Sequence, residues 1–366
     1  MNILWLSWKD RENPLSGGAE VVAHELAGRL VKDGHAVTFV TGGFKGGAPE
    51  AAIDGYRVVR VGGRYDVYVH AWFWYLRYGR GQYDLIIDEC NTVPFLAKLY
   101  VRTRTVMLYH MLCRKIWFYE LPQPLSTIGY YIEPLYLRLL SNLPAITVSE
   151  STRRDLLRNG YKKDNISVIS EGIELQPVAD LINIEKFNEP TMLSLGAMRA
   201  MKRTLEQVKA FEIAKGTVPA LKLKMAGDIA GSYAKGVLEY IAGSPYKDDI
   251  EVLGRVTKAQ KLILMQRAHL ITVTSVKEGW GLIVTEANSQ GTPAIVYDVD
   301  GLRDSVRDGV SGLVVQTNTP RALADSIGQL LNDPEYYARL RLAGWQWSRE
   351  ITFDRCFQDI KRALSL

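Results

Sequence analysis

The sequence predicts an α/β protein made of two Rossmann-like domains facing a central cleft. Three observations predict it: two successive series in which short apolar runs alternate with helical patterns, an irregular stretch between the series, and glycine-bearing turns just after apolar runs. In the first series the runs are Ile3 to Ser7, Ala36 to Thr41, Leu85 to Asp88, Thr105 to Leu108 and Ala145 to Val148, with a helical pattern from Val21 to Lys32. Gln176-Pro177, Asn183, Asn188 and Pro190 then break all periodicity, which places a linker between 175 and 190. The second series runs through Thr191 to Leu195, the helical pattern Thr204 to Ala214, Lys222 to Met225, Ile250 to Leu253, Leu270 to Thr274, the helix Leu282 to Ser289 and Ala294 to Tyr297. The expected domains are 1–175 and 176–349, with an amphipathic helix from Phe353 to Leu364, inside about 350–366, crossing back onto the first. Ligands of such open sheets bind outside the carboxyl ends of the strands, so the loops after strands are where function is sought.

A chain of 366 residues suits two domains, because single cores rarely grow beyond ~250 residues. Its composition, 47% hydrophobic and 23% charged, is that of an ordinary globular protein. Cys90, Cys113 and Cys356 are widely spaced and odd in number, which argues against a disulfide framework or zinc site and for a reducing compartment. Met1 to Ser7 lacks the flanks and length of a signal peptide, and no apolar run reaches the ~18 residues of a spanning helix. A cytoplasmic protein is expected. The net charge of +5 is modest and no nucleic-acid-binding motif occurs, so nucleic acid is not an expected partner. Aromatic and basic residues are nonetheless mixed at 64–83 and 98–118. Such mixtures suit a groove of partly buried aromatics that receives an acceptor, or else peripheral contact with an anionic membrane, at the inner face of the plasma membrane here.

Along the chain, Ser16-Gly17-Gly18-Ala19-Glu20 follows the first strand and opens a helix. Gly17 and Gly18 would let the backbone approach a diphosphate, although a flexible turn reads the same way. The sequence is neither Gly-x-Gly-x-x-Gly nor a Walker motif. His110 ends the strand that runs through Thr105 to Tyr109, where an imidazole can meet a sugar hydroxyl; the other four histidines read as structural. Arg199 and Lys202 follow the first strand of the second series. They could neutralise a leaving diphosphate, or simply form a solvated basic loop.

The most informative stretch is Glu278-Gly279-Trp280-Gly281-Leu282-Ile283-Val284-Thr285-Glu286, a strand-to-helix turn with two carboxylates eight positions apart. The amides of Leu282 and Ile283 at the helix start are a seat for phosphate. Glu286, one turn inside, can accept from two ribose hydroxyls, and Glu278 can bind a sugar or hold the loop. A solvated Glu286 and a dipole-favoured Glu278 are the plainer alternative. Asp298-Val299-Asp300 resembles a metal-holding Asp-x-Asp, but without other credible ligands it reads as loop carboxylates, and no metal is expected.

Together these segments, with Val252 to Val256, Gly291-Thr292-Pro293 and Asp308 to Leu313, resemble the retaining glycosyltransferases of family 4, which have the GT-B fold. The likeness extends to Gly34-His35, Val148-Ser149, Gly172-Ile173 and Gly227-Asp228. It implies metal-independent transfer from a nucleotide sugar, the UDP-sugar being the family's commoner donor, held mainly by the second domain with the acceptor on the first. By the resemblance Glu286 binds ribose, Leu282 and Ile283 bind phosphate beyond Gly281, and Glu278 contacts the donor sugar. Val256 meets the base through its backbone, Gly17 and Gly18 close over the diphosphate, and His110 lies beside the anomeric carbon. Lys202 matches the family's phosphate-facing lysine. The family's arginine after the glycine is Ala197 here, and Arg199 is assigned its role. Glu171 stands where the family more often has asparagine and receives no role. The expected acceptor is a glycan or a lipid-linked sugar of the cell surface. The alternative from another class is a nucleotide-sugar-binding regulatory or scaffold protein without turnover, and a phosphorylase or epimerase is a related enzyme reading.

Overall fold

The computed structural model describes all residues, 1–366, and divides them into two compact units. The first comprises 1–114, 127–172 and 353–366, and the second 115–126 and 173–352. The segment 115–126 was expected in the first domain. It belongs instead to the second unit, because its short helix packs on the turn at 200–202.

The first unit is built on an eight-stranded sheet. In chain order its elements are β1 (Asn2–Leu6), α1 (Gly18–Lys32), β2 (Ala36–Thr41), β3 (Glu50–Ile53), β4 (Tyr56–Arg60), α2 (Val67–Trp74), β5 (Leu85–Cys90) and β6 (Arg104–Tyr109). After α3 (Trp117–Glu120), which belongs to the second unit, follow α4 (Leu125–Leu140), β7 (Ala145–Thr147), α5 (Glu150–Arg158) and β8 (Ile166–Val168). The strand order is β3-β4-β2-β1-β5-β6-β7-β8, parallel throughout except for the β3–β4 hairpin. Strands buried on both faces need near-continuous apolar sequence, as in Ile3-Leu4-Trp5-Leu6, every residue of which is 0% exposed.

Register fixes which helices share a face of this sheet. Parallel partners point the same way, and Leu4 pairs with Ile86 while Cys90 pairs with Tyr109. Ile86 and Cys90 lie four apart and so also point together. Leu4 and Ile86 pack with Val67, Ala71 and Tyr75 of the α2 region, and Cys90 and Tyr109 pack with Tyr136, Leu137 and Leu140 of α4. Both helices therefore cover one face. On the other, Trp5 stacks on Phe39 and His24 of α1 on the same ring. The last helix, α13, contacts α1, with Arg29 paired to Asp354 and Lys361 to Asp33 at 2.6 Å.

The second unit continues with β9 (Thr191–Leu195), α6 (Thr204–Ala214), β10 (Lys222–Ala226), α7 (Ser232–Ala242), β11 (Ile250–Gly254), α8 (Lys258–Arg267) and β12 (Leu270–Val273). Then come α9 (Leu282–Ser289), β13 (Ala294–Val296), α10 (Leu302–Ser305), β14 (Gly312–Val314), α11 (Pro320–Leu331) and α12 (Pro334–Ser348), before α13 (Phe353–Leu364) returns to the first unit. All six strands are parallel in the order β11-β10-β9-β12-β13-β14. The stretch expected as a linker is a strap on this unit. Lys186 Nζ donates to the carbonyls of Gln266, Ala268 and Gly291 at 2.8 Å each, and Trp345 Nε1 donates to Val178 O at 2.9 Å.

At the carboxyl edge the loops after β9 and β10 touch backbone to backbone. A Cβ on Gly227 would stand 1.9 Å from Gly196 O, and Gly227 has φ +149°, whereas Gly231 at φ +99° faces open space. Gly231→Ala is therefore expected to cost roughly 1 kcal/mol for its backbone conformation alone. Gly227→Ala must also displace the Gly196 loop and should cost about 3 kcal/mol or more. Urea unfolding of the two variants checks the difference, and equal losses would show that the close approach is unimportant.

Candidate functional site

In each unit the sheet has one point where strand order reverses, between β1 and β5 in the first and between β9 and β12 in the second. Helices on either side leave a crevice there at the strands' carboxyl ends. In the second unit a cavity of ≈ 30 Å³ sits at this point, lined among others by Gly196, Lys202, Ser275 and Ile283. Lys202 closes a 3₁₀ turn, Ala200–Lys202, whose backbone is tied to the end of β12: Thr274 Oγ1 donates to Lys202 O at 2.8 Å and Val276 N to Met201 O at 2.8 Å.

Lys202 Nζ is paired with Glu278 Oε1, which also accepts from Ser275 Oγ at 2.5 Å. Glu278 is positioned by its own amide, which donates to Asp300 O at 2.9 Å. The chain here is so close that a Cβ on Gly301, φ +83°, would stand 2.2 Å from Glu278 O. Gly281, at φ +93° and ψ +53°, caps α9, and any Cβ on it would meet Leu302 Cδ2 at 2.8 Å. The next two amides, those of Leu282 and Ile283, precede any i→i−4 acceptor and carry the positive end of the helix dipole. Val284 N already donates to Gly281 O at 2.8 Å. One turn on, Glu286 is mostly buried and holds Lys261 Nζ at 2.6 Å through Oε2. Val256 lies two residues beyond β11, half-buried, just before the N-cap of α8 at Thr257.

Arg199 is placed differently. It is half exposed, pairs with Glu120 of α3 at 3.7 Å, and does not line the cavity that Lys202 lines. Asp298 and Asp300 are both engaged by Arg303, and Asp300 also by Lys277 at 2.9 Å.

In the first unit, α1 starts at Gly18 with Gly17 as its N-cap, whose amide donates to Glu20 Oε2 at 2.6 Å. The helix begins three residues before the expected Val21 because Glu20 supplies this acceptor. Lys9 lies 3.5 Å from Glu20 Oε1, and Asn91 beyond β5 bridges Glu20 and Glu89 at 3.4 Å each. His110 follows β6, and its Nε2 lies 3.1 Å from Glu89 Oε1, while Glu89 Oε2 accepts from Trp5 Nε1 at 2.7 Å. Burial works against the imidazolium. The hydrogen bond and charge of Glu89, joined by Glu171 and Glu20, outweigh it and hold His110 above the usual histidine range. Glu171 is itself buried, with Oε2 lacking a hydrogen-bond partner. Desolvation pushes its carboxyl up to about 7, against the opposing pull of His110 and the Gly172 amide.

The residues singled out in the sequence thus fall into two clusters, Lys202–Glu278 with the start of α9 and Glu286 in one unit, and Gly17–Gly18 with His110 in the other. Sequence reasoning missed Lys261 and Glu89 as partners, each far from its mate in the chain and carrying no motif of its own, and also the bonds that Ser275 and Glu20 make to Glu278 and Gly17 three residues away. Glu171 was noticed only as a departure; its burial beside His110 was not legible.

Comparison with known proteins places the chain. A model described as Glycosyltransferase Family 4 matches residues 16–177, and one described as Glycosyl transferases group 1 matches residues 181–347. The chain belongs to the family-4 glycosyltransferases, with the GT-B fold. It is 24% identical over 293 residues to a D-inositol 3-phosphate glycosyltransferase of Thermobispora bispora, an alignment covering 76% of this chain and 65% of that protein. The curated relatives it matches are thus spanned over less than two thirds of their length, 26% in the Salinispora tropica protein of the same name. Among solved structures, sucrose-phosphate synthase from Thermosynechococcus elongatus superposes with a TM-score of 0.80 at 18% identity, covering 100% of this chain and 98% of that one. Anabaena HepE in complex with UDP-glucose gives a TM-score of 0.74 at 18% identity, covering 100% and 99%. At these identities the solved structures establish the fold.

Glu171 makes the first unit's stability depend on pH. Its carboxyl ordinarily titrates at 4.5 and here at about 7, so between those values the folded state keeps a proton that the unfolded chain has lost. The stability this contributes is full below 4.5 and lost as pH rises through about 7. Glu171→Gln should remove that slope. Its advantage over the parent should be small near the lower value and grow to about 3 kcal/mol above the upper one. Urea denaturation across the window measures it, and parallel pH curves would sink the assignment.

Proposed function

We propose that the chain is a retaining, metal-independent glycosyltransferase that moves a sugar from a nucleotide sugar, a UDP-sugar, to a glycan or lipid-linked acceptor in cell-surface polysaccharide or glycolipid synthesis at the cytoplasmic side. The observation that carries this reading is the convergence of Lys202, Glu278 and the start of α9, whose N-cap Gly281 offers no side-chain acceptor, at the second unit's strand-order reversal, with Glu286 one turn behind. A diphosphate accepting from the Leu282 and Ile283 amides would place its ribose toward Glu286. Lys261 occupies Oε2 of Glu286, which would leave Oε1 to accept from a ribose hydroxyl. The UDP-glucose held in the HepE complex supports the uridine donor, and the D-inositol 3-phosphate glycosyltransferase relatives support a hydroxyl acceptor.

The chemistry asked of the protein is modest. The bond from the anomeric carbon to the phosphate oxygen breaks, the acceptor oxygen bonds to the same face of that carbon, and the acceptor's proton passes to the departing phosphate. Charge collects on the diphosphate, where Lys202 and the α9 amides are already aimed, so a cation and a helix start supply what a metal could otherwise supply. His110, hydrogen-bonded to Glu89 at 3.1 Å, is the first unit's candidate for meeting a sugar hydroxyl.

A titration of UDP, GDP and ADP sugars in the presence of chelator tests the reading. One nucleotide class should bind, and Glu286→Ala should weaken it about tenfold or more through loss of charged hydrogen bonds. Lys202→Ala should lower kcat on the order of 10²-fold by removing a charge from the leaving group. Binding that chelator abolishes, or that Glu286→Ala leaves intact, would refute the assignment. Binding with no turnover on any acceptor would favour the regulatory alternative.

A further inference from the structure

The geometry points to a second functional surface, on the α2–α4 face of the first unit, that seats the protein on an anionic lipid bilayer. α2 and α4 cover the same face of the sheet, and each is apolar on its outer side as well as its inner one. On α2 the outer stripe is Val69, Trp72, Phe73 and Leu76, exposed by 54%, 37%, 58% and 37%. On α4 it is Ile128, Tyr131, Ile132, Leu135 and Leu139, exposed by 45% to 68%. Both follow the three-and-four spacing of a single helix face. A helix that is apolar all round belongs in a core or against lipid, and these two are half outside the core.

Charge selects the occupant. Across α2, the π-helical turn Tyr75–Gly79, the 3₁₀ turn Ala97–Leu99 and α4 there is one carboxylate, Glu133. It is buried and accepts from the Cys113 and Arg114 amides at 2.7 Å each. The cations around the stripes, Arg77, Arg80, Arg102 and Arg138, are exposed, and Lys98 Nζ reaches across to Leu139 O at 2.8 Å, joining the 3₁₀ turn to α4. An apolar centre with exposed Trp72, Tyr78 and Tyr131 and flanks that are basic apart from Asp66 at the start of α2 matches the layering of an anionic headgroup region over acyl chains. No helix is long and apolar enough to cross a membrane, so the contact is one of surface seating. This surface belongs to the first unit, shares no residue with the donor-binding cluster of the second, and does not depend on which sugar is moved. With a lipid-linked acceptor it would keep the enzyme in the layer where that acceptor lies.

Flotation of the full chain with vesicles tests it. The protein should rise with phosphatidylcholine vesicles containing phosphatidylglycerol at low salt, much less with phosphatidylcholine alone, and less again as salt is raised. Ile132→Glu with Leu135→Glu should lower partitioning about tenfold or more, and the milder pair Ile132→Ser with Leu135→Ser should lower it by a smaller factor, about threefold. Donor binding and circular dichroism of both variants should match the parent, since the replaced side chains lie outside the core. Parent protein that stays down with anionic vesicles at low salt overturns the proposal, as do variants that float like the parent. A lipid-free dimer in light scattering that the same substitutions dissociate would assign the surface to a second copy of the chain and overturn it equally.

Discussion

A parallel sheet delivers the carboxyl ends of all its strands to one edge, and the chemistry of this protein hangs on that constraint twice. Each strand must return by a crossover, so each loop at that edge leads toward a helix, and each helix start offers unpaired amides. Where strand order reverses, the helices diverge and a crevice opens. In the second unit the loops after β9, β10, β12 and β13 are then packed more tightly than side chains permit. Gly227 lies against Gly196 and Gly301 against Glu278, contacts that only a missing Cβ allows. The result is a backbone scaffold that fixes Lys202 and Glu278 without relying on the flexibility of either side chain.

The two clusters handle charge in different ways. In the second unit Lys202–Glu278 and Lys261–Glu286 are mixed pairs with partly exposed members; under the proposed donor reading a diphosphate would compete for Lys202, and Ser275 would remain to hold Glu278. In the first unit Glu20, Glu89 and Glu171 surround one histidine and one lysine in a nearly dry setting. Glu171, lacking a full complement of hydrogen bonds, is the one pushed toward its neutral form, and His110 is the one pushed toward its charged form.

Much of the fold was legible because the alternation of apolar runs with helical periodicity reports the parallel sheet directly. Ile3 to Ser7 and Leu270 to Thr274 differ from the observed strands by a residue or two at their ends. The β3–β4 hairpin was missed although Asp54-Gly55 marks its turn, because its strands are short and lie at the sheet's edge. α2 was missed for a different reason. Its sequence, Val-Tyr-Val-His-Ala-Trp-Phe-Trp, shows no polar face, so periodicity had nothing to reveal. Of the aromatics at 98–118, Tyr109 and Trp117 turned out to be core, whereas the apolar outer face of α4 lay outside both segments singled out. Motif residues at the site could be read singly, since a glycine or a helix start has local causes. Their partners could not, because Glu89 meets His110 and Lys261 meets Glu286 only through tertiary packing.

The departure at Ala197 redistributes the work expected of the loop after β9. Arg199 is tethered to Glu120 on α3 and stands away from the small cavity, while Lys202 lines it. Under the donor reading, the developing negative charge must then be met chiefly by Lys202 and by the first amides of α9. Those amides belong to a helix capped by a glycine whose φ of +93° disfavours any side chain, and fixed dipoles need no reorganisation when charge appears. The loss of one flexible cation is thereby offset by a part of the site that packing already holds still. The Arg199–Glu120 pair is left to fasten the segment 115–126 to the second unit, a structural role that needs the arginine's reach and not its proximity to phosphate.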